Sequence, residues 1–190
     1  MNTTKKRPAL VGFAAWSGTG KTTLLEKVIP LLGDKGHHIA VIKHAHHNFD
    51  IDHDGKDSFK LRKAGAIDTI VASAKRWAYI HENQAFDNHI EDGGTTPHEP
   101  DLNTLLALLH TDPNRPWPDI ILVEGFKHAC FPRIELHRAE LNKPLLYPVD
   151  KEIIAIATNS NDKMQHPIKT LDINNPAEIA AFIETHFLPG

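Results

Sequence analysis

Apolar runs alternate along this chain with stretches whose apolar positions recur every three to four residues. Ala9 to Ala15 is an unbroken apolar run, the mark of a buried strand. Leu24, Leu25, Val28, Ile29 and Leu32 share one helical face, which predicts a helix over Lys21 to Leu32. Pro30 lies inside that pattern and predicts a kinked or loosened last turn; Gly33 and Gly36 end it. His38 to Lys43 reads as a second strand, Asp57 to Ala64 as a short helix stopped by Gly65, Thr69 to Ser73 as a third strand and Ala78 to His81 as a candidate fourth. Residues 82 to 100 are polar and rich in breakers, with Gly93, Gly94, Pro97 and Pro100, and read as a surface loop. A helix is expected over Asp101 to Leu109, capped by Asp101. Ile120-Ile121-Leu122-Val123 marks a central strand over Asp119 to Glu124, with further strands over Arg133 to His137 and Ile153 to Ala157. Asn175-Pro176 opens a final helix through Phe187, packed by Ile179, Phe182 and Ile183. Strands alternating with helices predict an α/β fold.

Composition narrows the reading. The 190 residues fit one domain, 1–190, of ordinary globular character, with 41% hydrophobic and 24% charged residues. The single cysteine, Cys130, excludes an intrachain disulfide and is expected to be a small buried apolar residue. Pro8 to Trp16 is the longest apolar stretch and is far shorter than the roughly 20 residues of a membrane helix, so no membrane span is expected. A net charge of −3 argues against a nucleic-acid partner, which usually meets a basic surface. The 14 histidines raise the question of metal. Lys5, Lys6 and Arg7 before the apolar run have the look of a short secretion signal. That run leads directly into a phosphate-binding motif, which explains it better, and the expected location is cytoplasmic.

Ala15-Trp16-Ser17-Gly18-Thr19-Gly20-Lys21-Thr22 follows the P-loop pattern with Ala15 in place of the first glycine. Glycines let consecutive backbone N–H groups turn inward around phosphate oxygens, and the following helix adds its positive end. Lys21 brings a full charge to the β and γ phosphates, and Thr22 offers a hydroxyl to Mg2+. A bare glycine turn opening a helix is the plainer alternative, but a strand is expected before the motif and a helix after it.

A phosphate site of this kind needs an acid at the tip of another buried strand. Glu124, after four apolar residues, sits at the edge where parallel sheets bind ligands. Asp50 and Asp52 follow the second strand; one could hold magnesium or orient water, and solvated loop acids are an equal alternative. Lys43-His44-Ala45-His46-His47, with His53 behind, is dense in imidazole but lacks the spacing of a zinc site. Contacts to phosphate, to magnesium-bound water or to a protein partner are the plainer reading of these histidines.

The loop Ala15 to Leu24, the segment Lys43-His44-Ala45-His46-His47-Asn48-Phe49-Asp50-Ile51-Asp52, Gly55-Lys56-Asp57-Ser58 with Arg62 and Ala64-Gly65-Ala66, and Leu122-Val123-Glu124-Gly125-Phe126-Lys127 together resemble the molybdopterin-guanine dinucleotide biosynthesis protein B family, MobB. The resemblance runs from about residue 9 to residue 137. It implies a P-loop NTPase-type, doubly wound, mostly parallel sheet with a β-extension used for dimer contact. It also implies an adapter that binds GTP with Mg2+, hydrolyses GTP weakly, and works as a homodimer. Its partners would be the molybdenum cofactor guanylyltransferase and cofactor-accepting enzymes. The site residues expected are Trp16, Ser17, Gly18, Thr19, Gly20, Lys21, Thr22, Thr23 and Asn159 for the nucleotide, with Lys21, Asp50 and Glu124 for catalysis and Thr22, Asp50 and Glu124 for magnesium. One departure stands out: GTP-reading loops place an Asp against the guanine N1 and N2 hydrogens, and after the strand ending at Ala157 this chain has Thr158-Asn159-Ser160-Asn161-Asp162. Asn159 stands where the acid is expected, or Asp162 shifts in.

Two rival functions share the phosphate loop. A small-molecule kinase would show a cationic lid, and Lys127, Arg133, Arg138 and Lys143 are scattered along the chain rather than grouped. A metallochaperone GTPase would use the histidines, and a zinc or nickel titration would reveal it.

Overall fold

In the computed structural model, residues 7–45, 49–83, 100–109, 116–160 and 166–188 are described. The chain order is β1 (Ala9–Ala15), α1 (Lys21–Gly33), β2 (Ile39–Lys43), α2 (Asp57–Lys63), β3 (Asp68–Ala72), β4 (Trp77–His81), α3 (Leu102–Leu108), β5 (Ile120–Glu124), β6 (Arg133–His137), β7 (Ile153–Thr158), β8 (Lys169–Asp172) and α4 (Pro176–Phe187), with a 3-10 turn at Ala139–Leu141. The contacts divide into two compact units, Met1–His44 with Leu105–Gly190, and Ala45–Thr104.

The first unit is built on a six-stranded sheet of order β2-β5-β1-β6-β7-β8, parallel at every pairing. The apolar runs explain this directly: a strand covered on both faces needs no polar alternation. Ile120 to Val123 of β5 are all buried, as are Val11 and Phe13 of β1. Leu24, Leu25, Val28 and Leu32 of α1 and Ile179, Ala180 and Ile183 of α4 join Val11, Phe13, Ile120 and Leu122 in one core cluster. This is the expected α/β arrangement, and parallel strands bring the loops after β1, β5, β6, β7 and β8 to one edge.

The α1 helix runs through Pro30 to Gly33, and Asp34 N bonds Pro30 O at 2.8 Å, so the expected loosening of the last turn is not found. Pro30 and Glu26, whose carbonyl loses its helical partner to the ring, both lie on the exposed side, where water can serve that carbonyl. Asp101 caps α3 through Thr104 N at 2.8 Å, and Asn175 caps α4 through Glu178 N with Pro176 in the first turn. Strand β8 was not anticipated; its Lys169-Thr170-Leu171-Asp172 buries only Leu171, so it carries almost no apolar signal. Cys130 is exposed, contrary to expectation, because it lies in the turn between β5 and β6 rather than in a strand.

In the second unit β3 and β4 form an antiparallel hairpin that pairs Ile70 with Tyr79 and Ala72 with Trp77. The hairpin is the expected β-extension. Most of the segment 82–100 lies outside the described residues.

Candidate functional site

Strand β1 delivers the chain to the phosphate loop, and α1 begins at Lys21 immediately after it. Gly18 and Gly20 take φ of +81° and +91°, a backbone state that other residues adopt at a cost, and nothing would crowd a side chain there. Conformation, not space, demands glycine. The loop braces itself by Thr19, which is buried and donates from its hydroxyl to Trp16 O at 2.8 Å. Gly20 provides no side-chain cap for α1, and the first turn holds no acid. The helix therefore presents its first N–H groups and its positive end without a side chain competing for them.

Register places Glu124 beside Phe13 of β1 and Lys43 of β2. Its carboxylate lies 3.9 Å from Lys21 Nζ and 3.7 Å from Lys43 Nζ, with the Glu124 and Lys21 side chains mostly buried. Two ammonium groups against one carboxylate leave this edge net positive, as a triphosphate requires. Sequence reasoning found Lys21 and Glu124; the contribution of Lys43 needed the β2–β5 register. Thr22 and Thr23 lie exposed in the first turn of α1, and Trp16 and Ser17 are exposed in the loop.

The turn after Glu124 is tightly constrained. Gly125 has φ +98°, and a Cβ there would stand 2.6 Å from His44 Cβ. Phe126 follows at φ +51°, a state that costs a bulky residue about 1–2 kcal/mol. Buried Arg133 holds it: its Nη2 donates to Phe126 O at 3.1 Å, to Lys127 O at 3.2 Å and to Ala129 O, while Nη1 reaches Asp150 at 3.3 Å. The His44 ring lies 4.9 Å from the Phe126 ring, and His44 N donates to Glu124 O. His44 thus packs beside the acid. His46 and His47 lie outside the described residues, and among those described no three His, Cys, Asp or Glu side chains form a metal-holding group.

Asp50 and Asp52 belong to the second unit, and their partners lie within it. Arg62 Nη2 donates to Asp50 at 2.7 Å, Arg62 Nη1 bonds Glu82, and Arg62 Nε faces Asp52 at 3.5 Å. A bond from Asp52 N, then the Arg62 guanidinium, holds the Asp50 carboxyl below its usual range. The Arg62 side chain is 7% exposed and its charge is shared among three carboxylates.

Two cations that looked scattered in the sequence converge on the phosphate loop. Arg138 Nε donates to Thr19 O at 3.0 Å. Lys143 Nζ lies 5.8 Å from the centre of the Trp16 ring, whose Nε1 donates to Pro144 O at 2.8 Å. The segment carrying Lys143 and Pro144 is anchored by fully buried Glu135, which accepts from Leu146 N and Tyr147 N. Burial pushes the Glu135 carboxyl up, against those two bonds. Asn159 is occupied at both ends of its amide: Oδ1 accepts from Ala139 N at 3.1 Å, and Nδ2 donates to Glu140 at 2.7 Å. Asn161 and Asp162 lie outside the described residues.

Known proteins resemble this chain in sequence and in fold. The family model described as MobB, molybdopterin guanine dinucleotide synthesis protein B, matches residues 10–159. A protein of Escherichia coli (strain K12), named molybdopterin-guanine dinucleotide biosynthesis adapter protein, is 42% identical over 175 residues, covering 92% of this chain and 90% of its own. A protein of the same name from Haemophilus influenzae is 40% identical over 175 residues, covering 92% of this chain and 87% of its own. The solved structure of Bacillus subtilis MobB superposes with a TM-score of 0.66 at 18% identity, covering 96% of this chain and 99% of that one.

Proposed function

The chain belongs to the MobB family, and from that premise we propose that it is a GTP-binding adapter in molybdopterin-guanine dinucleotide biosynthesis, assisting the enzyme that attaches GMP to molybdopterin and, with it, cofactor-accepting enzymes. The observation that carries this reading is the uncapped start of α1 behind a glycine loop, faced by Lys21 and Glu124. In this reading the whole chain works as one nucleotide-binding domain in the cytoplasm. Among the described residues no helix is long and apolar enough to cross a membrane.

Each residue has a task. The N–H groups of Trp16 to Thr23 cradle the phosphates, and Lys21 neutralises the β and γ oxygens. Thr22 and Glu124 are the groups suited to hold Mg2+, Glu124 through water. When bound, the ion would offset charge on the β and γ phosphates. Asp50, in the second unit, is paired with Arg62 there. Asn159 borders the base.

The exposed Ile70, Trp77 and Tyr79 of the hairpin form the surface for a second copy of the chain. The test of the nucleotide reading is displacement of a fluorescent GTP analogue in Mg2+ buffer. GTP is expected to displace it at lower concentration than ATP. Equal displacement by both would remove guanine selectivity, and no displacement by either would remove the nucleotide site.

A further inference from the structure

Four loops at one edge of the sheet are joined through one guanidinium and the carboxylate beside it. Arg138 follows β6, next to β1, where Ala15 pairs with Leu136. Its Nε holds Thr19 O of the phosphate loop at 3.0 Å. Its Nη1 reaches Asn174 Oδ1, in the loop after β8, at 3.3 Å and lies 3.7 Å from Glu140. Glu140 in turn accepts from Asn159, in the loop after β7, and Asn159 accepts from Ala139 N. The Asn159 bond, with Arg138 nearby, holds the Glu140 carboxyl ionised below its usual range. The loops after β7 and β8 lie on the side of β1 away from Glu124, in the order β5-β1-β6-β7-β8. If the phosphates meet Lys21 and Glu124, these loops are where the rest of the nucleotide can extend.

We propose that Arg138 is a positioning residue that couples the base-side loops, through Asn174, Glu140 and Asn159, to the phosphate loop at Thr19. The inference rests on the nucleotide-binding reading above. Thr19 contributes the carbonyl that Arg138 grips, and the same residue's hydroxyl closes the loop onto Trp16. Orienting Arg138 therefore orients the cradle. A nucleotide that orders the loops bearing Asn159 and Asn174 fixes the guanidinium, and the guanidinium fixes the phosphate loop. The fork geometry of arginine serves this purpose, because one rigid plane fixes donors on two separate nitrogens, whereas the three N–H groups of a lysine diverge from a single rotating nitrogen.

A merely structural Arg138 and a coupling Arg138 differ in one readout. Base contacts raise affinity for GTP above that for inorganic triphosphate, which has phosphates and no base. The ratio of the two affinities measures what the base contributes. Both are measured by displacement of a fluorescent GTP analogue from the wild-type chain, Arg138→Ala and Arg138→Gln.

In Arg138→Ala, triphosphate affinity is expected to fall about fivefold, and GTP affinity about fifty-fold, so that the ratio falls about tenfold. Arg138→Gln keeps one N–H able to reach Thr19 O and loses the fork to Asn174. It is expected to hold triphosphate within about threefold and still lose most of the ratio. This second variant decides the matter if Arg138→Ala does not fold. Equal losses for GTP and triphosphate, or no loss for either, would overturn the coupling while leaving nucleotide binding in place. A wild-type chain that binds neither ligand would overturn both.

Discussion

In the proposed reading, Lys21 carries the one full charge that the phosphate loop itself brings to the nucleotide. Its ammonium stands 3.9 Å from Glu124, within a site that is mostly buried, so screening by water is limited. Replacing it by alanine removes a charge-assisted contact of about 1.5–3 kcal/mol, or roughly 10- to 150-fold in affinity. Lys21→Ala is therefore expected to bind GTP that much more weakly in calorimetry while unfolding at nearly the wild-type temperature; unchanged affinity would place Lys21 outside the site. This residue was legible because the loop's chemistry is contiguous: Gly18, Gly20, Lys21 and Thr22 sit within five positions. Glu124 was legible as the end of a buried run. Arg138 and Lys143 were not, since they reach the loop only through the β1–β6 pairing and the anchoring of residues 146 and 147 on Glu135. Asp50 was legible as an acid in the segment after β2, but its pairing with Arg62 twelve residues later was not.

Most elements announced themselves through periodicity, and those that did not share a physical reason. The central strands β1 and β5 are covered on both faces and read as solid apolar runs, whereas β8 at the sheet edge buries one residue of four. The 3-10 turn at Ala139–Leu141 has no buried residue and left no pattern to read. Between elements, α4 is clasped to the turn after α1 by Glu184, which bonds Lys35 and accepts from His37 at 3.2 Å. The Lys35 ammonium first, then His37, holds the Glu184 carboxyl below its ordinary 4.5. A depressed carboxyl contributes stability that is present above the unfolded value and lost as pH falls through the folded one. The melting temperature of Glu184→Gln is thus expected to lie below wild type at neutral pH, with the gap closing as pH drops below 4.5; a gap constant with pH would show that the clasp works by shape alone. The hairpin of β3 and β4 makes a separate prediction. Trp77 is 56% exposed and Ile70 69%, and a second copy covering them gives a light-scattering mass of twice the 21.2 kDa of one chain. Trp77→Asp is expected to shift that mass toward the single chain. A wild-type mass near 21.2 kDa at micromolar concentration would count against the dimer.

At the scale of the molecule, the proposed reading has the chain hold a nucleotide rather than consume it. Phosphoryl transfer is accelerated by positioned positive charge, and a supplied arginine is worth about 10³- to 10⁵-fold. Here Arg62 is committed to Asp50, Asp52 and Glu82, Arg133 to the turn after Glu124, and Arg138 to the carbonyl of Thr19. Among the described residues, each of these arginines already has an assigned contact. A chain so arranged suits an adapter whose site is completed by a partner. The most direct test is steady-state GTP hydrolysis by the purified chain with Mg2+ and no partner. The account predicts turnover at about 10⁻² to 10⁻⁴ s⁻¹, the range of GTPases without a supplied arginine in trans. A kcat above about 1 s⁻¹, within the ordinary range of metabolic enzymes, would contradict it.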